Sequence, residues 1–534
     1  MINAAADIVE FFRIVSARLR AYPGLTGFCV MVVFFAVTMH LGFALQDEPF
    51  EWYGAQRVLA GDIPLRDFDS YDPARYYWAA AVMALLQSHG FIAFRISLGL
   101  CAALGMLLAN RLIFRAWPAP GLWLLLTTSI SLIIWMTRFH KVFDVVASIA
   151  LVMSLAWLLE QPTRRRFFVN GAVVGMVAII GRNHGVYGVV AGALGLGFVV
   201  YAEKRAAVWP SFLCWCAGIV IGYAPMLLAI LLVPGFWAGL WATIQVFFEF
   251  GATHYPVEYP WPWLVPMAEP IGEIVRYLFT SFLMIGVPLF GVGGLLYFVW
   301  RVRVQKLPAD YLVLAAAMVS IPYTHFASQG LGHLEQAIFP MFIGIFAVVV
   351  GMPRWPALAL STTVCVLSLF LLVPDQDFYA RMTDPHRWLP VQIGQDTLTI
   401  NWFIAKRISV LARLVQKYAP GDREFVAEPF IPGAYALFDR RAAVWNPYAL
   451  FPADGTLQEK EIARIQKEQP GFVLITTGPY PYQLIDPMVY NFITRNFVRT
   501  VDPAIPPQWG WELYLPPQVM GQKARDQRGG IQVK

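Results

Sequence analysis

Long apolar stretches alternate with short polar ones along this 534-residue chain. Apolar segments run near 25–45, 94–115, 121–137, 142–159, 167–181, 185–201, 209–233, 274–300, 310–328, 334–351 and 355–373, with a shorter one at 76–88. A helix needs about 20 residues to cross a bilayer, and most of these segments come near that length. The short one follows Asp72-Pro73, a good start for a helix, but is too brief to cross. Ahead of the first segment, residues 5–20 set Ile8, Phe11, Phe12, Val15 and Leu19 against Arg13, Arg18 and Arg20. That is the pattern of a basic amphipathic helix lying on a membrane surface, and Tyr22-Pro23-Gly24 ends it. The run that follows is too long for the core of a cleaved signal, and no small-residue cleavage site comes after it.

From about 375 onward the pattern changes. "REFVAEP" and "GFVLITTG" predict short strands, and "LQEKEIARIQKEQ" predicts an exposed helix with Ile462 and Ile465 on one stripe. A small α/β domain fits, and it shows no metal-ligand spacing, phosphate loop or nucleophile elbow.

Charge orients the chain. With the N-terminus cytoplasmic and 76–88 not spanning, every basic cluster between spans falls inside: Arg111/Arg115, Arg164-Arg165-Arg166, Lys204-Arg205, Arg301/Arg303/Lys306 and Arg354. A twelfth span would turn all of them outward, against the positive-inside rule. The expected fold class is therefore an α-helical polytopic membrane protein of about eleven transmembrane helices, with surface helices on its outer face and a small C-terminal α/β extracytoplasmic domain. Its parts are a cytoplasmic amphipathic helix (1–24), a membrane module (25–374) and an extracytoplasmic domain (375–534). The module includes a first outer loop at 46–93 and a long outer loop at 234–272, and a helix over 74–90 lies shallowly on the outer side.

Composition agrees. The chain is 58% hydrophobic and 14% charged, where soluble domains carry about a quarter charged residues. The net charge of +6 is too modest to point to nucleic acid. All five cysteines fall inside apolar segments, as small hydrophobes do, rather than in loops fit for disulfides or zinc. The absence of any Asn-x-Ser/Thr site leans towards a bacterial inner (plasma) membrane.

This topology gathers polar residues on the outer side. Ionisable groups at membrane depth are costly and usually functional. Directly after the first apolar segment come Asp47, Glu48, Glu51, Asp62, Asp67, Asp69 and Asp72, with Arg57, Arg66 and Arg75 among them. Further outer groups are Arg138, His140, Lys141 and Asp144, then Arg182 and His184, His254 in the 234–272 loop, and His325, His333 and Glu335.

Asp47-Glu48 after the first span, then "LAGDIPLRDFDSYDPARYYW", a surface helix and a span opening near Arg95, together resemble the GT-C superfamily of membrane glycosyltransferases. The nearest branch is the one related to protein O-mannosyltransferases and the lipid A aminoarabinose transferase. "TRFHKVFD" resembles the family's second outer loop, with Asp144 at its acidic position, and "GRNHGVYG" resembles the Arg-rich turn after the fifth span. "SQGLGHLEQAIFP" departs from the family segment, with Gln329 and Gly332 where Arg and Asp usually stand. The likeness covers roughly 25–375 and the layout of the tail; the first loop is its specific part. It implies a sugar moved from a polyprenyl-phosphate donor to a lipid, glycan or protein acceptor on the outer face, with inversion.

That chemistry needs a base for the acceptor hydroxyl, cations for the departing phosphate and a groove for the lipid. Asp47 is the expected base, at the lipid–water boundary; its alternative role is a helix cap. Glu48 exchanges roles with it or orients it. Asp144 positions the acceptor, or else pairs with Lys141 or Arg138. Arg66, Arg75, Lys141 and Arg182 are the phosphate candidates, because a cation there neutralises the leaving group; Arg66 beside Asp67 also reads as a loop ion pair. His184, His254 and His333 join the substrate-binding set. They lack tight ligand spacing, so a divalent metal ion stays an open alternative and no cofactor is assigned. Competing readings are a transporter or flippase of lipid-linked sugars, a polysaccharide ligase or polymerase, and a non-enzymatic scaffold.

Overall fold

The computed structural model describes residues 15–117, 120–203, 208–250, 259–305, 307–328, 330–429, 431–449, 453–476 and 486–517. It is a mostly helical protein with a small sheet region near its C-terminus, as the residue pattern predicts. Each of the eleven apolar segments forms a helix: Pro23–Thr38, Phe91–Ile113, Leu122–Ile134, Val142–Glu160, Arg164–Ile180, Arg182–Glu203, Trp209–Gly222 with Ala224–Leu232, Ile271–Gln305, Pro308–Ala327, Leu331–Val350 and Arg354–Leu372. Among the described residues six helices are long and apolar enough to cross a membrane, or eight if two bent pairs each count as one span. The chain is a multi-pass membrane protein.

Three helices account for the shortfall from eleven. Leu122–Ile134 has 13 residues and Arg164–Ile180 has 17, the latter opening on three arginines. Pro308–Ala327 is diluted at its ends by Asp310, Tyr323, Thr324 and His325. The bent pairs are Trp209–Gly222 with Ala224–Leu232, at 55°, and Val15–Ala21 with Pro23–Thr38, at 112°. Ala74–Leu85, the helix of the short segment, has 12 residues, so it is about 18 Å long and falls short of the roughly 30 Å hydrocarbon core.

The chain divides into two compact units. The first comprises Met1–Met39, Leu98–Leu228 and His254–Ala380. Apolar burial cannot drive helix association in lipid, so close backbone approach and polar contacts take over. Gly171 and Gly175 on Arg164–Ile180 face Trp209–Gly222, which brings its own Gly218 and Gly222 to the contact. A Cβ at Gly171 would stand 2.1 Å from Trp215 O, and one at Gly218 would stand 2.1 Å from Phe168 O. Only hydrogen fits there. Asn170 adds polar contacts, donating to Ser154 Oγ (2.9 Å) and accepting from Trp215 Nε1 (3.0 Å). Asn110 likewise donates to Ser129 Oγ at 2.8 Å.

The second unit comprises His40–Ser97, Ala229–Thr253 and Arg381–Lys534. The tail is thus packed on the first loop. The Ala442 N–H donates to the Tyr53 hydroxyl, Gln56 Nε2 to Ala436 O, Trp445 Nε1 to Arg66 O, and Arg464 to Asp67 O. A hairpin of Trp388–Ile393 and Asp396–Asn401 turns at Gly394, whose φ of +57° a two-residue turn demands. A second sheet runs Val426–Glu428, Val473–Ile475, Glu512–Leu515, Val498–Thr500, with the first pair parallel and the others antiparallel. Both strands expected in the tail are therefore present. The helix over 457–469 is Gly455–Glu468, capped by Asp454, and it is only half exposed: Leu457, Glu461 and Ile465 are buried.

Candidate active site

The first loop opens with the helix Asp47–Leu59. Its N-cap is Gln46, so Asp47 is the first helical residue rather than the cap. Asp47 Oδ1 accepts from the Tyr448 hydroxyl at 3.1 Å. Glu48 receives two nitrogens of a guanidinium: Arg95 Nε lies 2.7 Å from Oε1 and Nη2 lies 2.8 Å from Oε2. Arg95 also donates to Leu41 O at 2.7 Å and stacks over Phe91. Glu48 is thereby anchored at the helix start.

Most of the other acids in the loop are matched by arginines. Arg75 pairs with Glu51 at 2.9 Å, both buried, and lies over the Tyr71 ring. Arg57 pairs with Asp62 at 2.7 Å. Arg66 grips Asp67 with two hydrogen bonds of 2.9 and 2.6 Å. Burial opposes ionisation of Asp67, but Arg66, the Ile63 N–H and Arg441 together hold its carboxyl below the usual range. Two phosphate candidates, Arg66 and Arg75, are thus ion-paired within the loop. The crowd of carboxylates is a cross-braced platform, with Asp47 at its leading end.

The first unit carries a separate polar cluster. The 3₁₀ turn Phe139–Lys141 leads into Val142–Glu160, placing Asp144 in its first turn. Gly181 breaks the chain between two helices, and His184 lies in the first turn of the second. His184 Nε2 is 2.7 Å from Asp144 Oδ1, and His184 Nδ1 is 2.7 Å from the Tyr323 hydroxyl. An ionised Asp144 can only accept, so Nε2 carries a proton. Gln336 Nε2 donates to Asp144 Oδ2, and Gln336 Oε1 faces His333 Nδ1 at 3.0 Å. Asp144, His184, Tyr323 and Gln336 are all buried, and rings of Tyr187 and Phe326 surround the imidazole. Both oxygens of Asp144 hold donors. The arrangement aligns a chain of hydrogen-bonding side chains from Tyr323 through His184 and Asp144 to Gln336.

Arg138 does not pair with Asp144; its Nε lies 2.8 Å from Oε1 of fully buried Glu335. Lys141 is half-buried, and its backbone N–H donates to Arg138 O at 2.9 Å. Arg182 begins the helix that carries His184. The structure thus brings together Asp144, His184 and His333 from the sequence-derived set, and adds Tyr323 and Gln336, which the sequence did not single out. Gln336 stands three residues after His333, a spacing that shares a helix face and was the available signal. His254 lies outside the described residues. Among the described residues no three His, Cys, Asp or Glu side chains gather as a metal site.

No protein-family model matches the chain, and no curated protein matches it. Solved structures similar to it include two of the same protein. One is the crystal structure of ArnT from Cupriavidus metallidurans in the apo state, at 12% identity and a TM-score of 0.45, covering 92% of this chain and 98% of that one. The other is ArnT from Cupriavidus metallidurans bound to undecaprenyl phosphate, at 11% identity and a TM-score of 0.45, covering 96% of this chain and 98% of that one.

Proposed function

We propose that this chain is a GT-C-type membrane glycosyltransferase. It moves a sugar from a polyprenyl-phosphate carrier to a lipid, glycan or protein acceptor at the outer face of a bacterial inner membrane. The observation that carries the reading is the construction of the first loop. Asp47 heads a helix that begins nine residues beyond the apolar helix Pro23–Thr38, and it is oriented by Tyr448. Behind it, Glu48, Glu51, Asp62 and Asp67 are held by Arg95, Arg75, Arg57 and Arg66. A pre-positioned carboxylate on a rigid support is what a general base requires.

In the proposed reaction Asp47 takes the acceptor hydroxyl proton as that oxygen attacks the anomeric carbon. The bond from that carbon to the phosphate oxygen breaks, and polyprenyl phosphate leaves with the electron pair. Inversion follows from the single displacement. Arg66, Arg75, Lys141 and Arg182 remain the four candidates for the leaving phosphate. Asp144 and His184 serve as positioning residues, because both oxygens of Asp144 are engaged.

The bent pair Trp209–Gly222 and Ala224–Leu232 is the kind of broken helix a transporter would use, yet it contains no ionisable Asp, Glu, Lys, Arg or His. That favours chemistry over transport. The test is to incubate the purified protein with undecaprenyl-phosphate sugars and a membrane lipid extract and follow free undecaprenyl phosphate by mass spectrometry. Sugar-dependent release supports the reading; a panel of donors with no release counts against it.

A further inference from the structure

Arg407 lies on the helix Trp402–Tyr418 of the second unit. Its Nε is buried without a hydrogen-bond partner, and no ion pair reaches it among the described residues. Aromatic rings surround it instead. Its guanidinium carbon is 4.5 Å from the Phe403 ring centre, 5.8 Å from Trp509 and 5.7 Å from Trp511. Phe403 stands four residues earlier on the same helix face. Gly510, at φ +66°, lets the chain turn so that Trp509 and Trp511 pack at 4.8 Å. Burial pulls the guanidinium's pKa down without a neighbouring carboxylate to restore it.

The rim of this cluster is apolar and exposed: Trp402 is 43% and Phe403 37% accessible. The helix follows the hairpin strand Asp396–Asn401 directly, and Asn401 caps it by accepting from the Phe403 N–H at 2.9 Å. Thr399 of that strand is bonded to His40 and Gly42, which follow the apolar helix Pro23–Thr38 in the chain. At about 3.3 Å per residue, Trp402 starts within about 10 Å of Thr399. Tryptophan and arginine together suit the headgroup zone, where rings enter the apolar edge and cations meet phosphate.

We propose that Arg407, with Trp402, Phe403, Trp509 and Trp511, binds the phosphate of an anionic membrane lipid headgroup. The guanidinium fork takes two phosphate oxygens, and the exposed rings lie against the glycerol and upper acyl chains. Arg407 binds this anion whether or not the chain transfers sugar.

The test uses the full-length protein in detergent as wild type, Arg407→Gln, Arg407→Lys and the double variant Trp402→Ser/Phe403→Ser. Each is titrated with phosphatidylglycerol or phosphatidylcholine of matched chains and followed by native mass spectrometry, with inorganic phosphate as a competitor. One phosphatidylglycerol is expected to bind wild type about tenfold more tightly than Arg407→Gln. Arg407→Lys should fall between them, the ring variant should also weaken binding, and phosphatidylcholine should not distinguish the proteins. Equal phosphatidylglycerol uptake by wild type and Arg407→Gln, or by wild type and Arg407→Lys if Arg407→Gln does not fold, overturns the assignment. Displacement by inorganic phosphate at concentrations matching the lipid's also overturns it, since the site would then read a free anion.

Discussion

The Tyr448 hydroxyl donates to Asp47 Oδ1 at 3.1 Å, joining the head of the first loop to a residue 401 positions further along the chain. Phe50 packs against the same Tyr448 ring at 5.2 Å, so both partners sit on a fixed surface. Tyr448 thus helps to orient this carboxylate.

Tyr448→Phe removes that donor and keeps the ring. Expected is a fall in kcat of about fivefold with KM for the donor unchanged, in line with about 1 kcal/mol for one oriented hydrogen bond. Steady-state kinetics of release check this; an altered KM with intact kcat would speak for a binding role.

Glu48→Gln removes the carboxylate that takes two guanidinium nitrogens of buried Arg95. Breaking a buried, two-armed pair costs about 3–5 kcal/mol, so the variant should melt well below wild type in detergent. Thermal unfolding followed by size exclusion reads this, and an unchanged melting temperature would show that Glu48 is free for chemistry.

Gly218→Leu pushes a side chain into Phe168 O and the Ala172 backbone. Overpacking of a close helix pair should cost about 3 kcal/mol or more and reduce the monodisperse fraction. Gly197→Ala, where a Cβ meets nothing within 4 Å, should behave as wild type in the same assay.

Burial raises the Asp486 carboxyl from 3.8 to about 6, against one hydrogen bond from the Ala453 N–H. The folded state therefore holds a proton that the unfolded chain releases near pH 4. Its stability contribution is complete below about pH 4 and is lost as pH rises through about 6, on the order of 3 kcal/mol in all. Asp486→Asn should be progressively more stable than wild type between pH 4 and 7, with a constant gap above that. Parallel melting curves across this window would contradict the shift. Asp502 acts in the opposite sense: burial opposes its ionisation, yet bonds from Lys417, the Ala504 N–H and Tyr418 hold it at about 2. Its contribution is therefore present above about pH 4 and lost only as pH falls towards 2.

The apolar segments were legible because each helix needs an unbroken run of residues. Their number as spans was less so, because hydropathy registers neither the 55° bend at Tyr223 nor the 13-residue length of Leu122–Ile134. In the first loop the density of carboxylates marked the place. Which of them are braced could not be read: Arg95 reaches Glu48 from 47 positions away, and Tyr448 reaches Asp47 from 401. Asp144 and His184 were both singled out, yet nothing in a linear pattern says that they touch, or that Tyr323 and Gln336 complete the chain of bonds. Arg407 gave no signal at all, since its setting is made by Trp509 and Trp511 about a hundred residues later.

The central claim is that Asp47 takes the acceptor's proton. The most direct measurement is kcat for wild type and Asp47→Asn, with both proteins shown to be folded and both substrates saturating. A loss of about 10²–10⁴-fold in kcat is predicted, with partial return in Asp47→Glu. Equal turnover by wild type and Asp47→Asn would contradict the account.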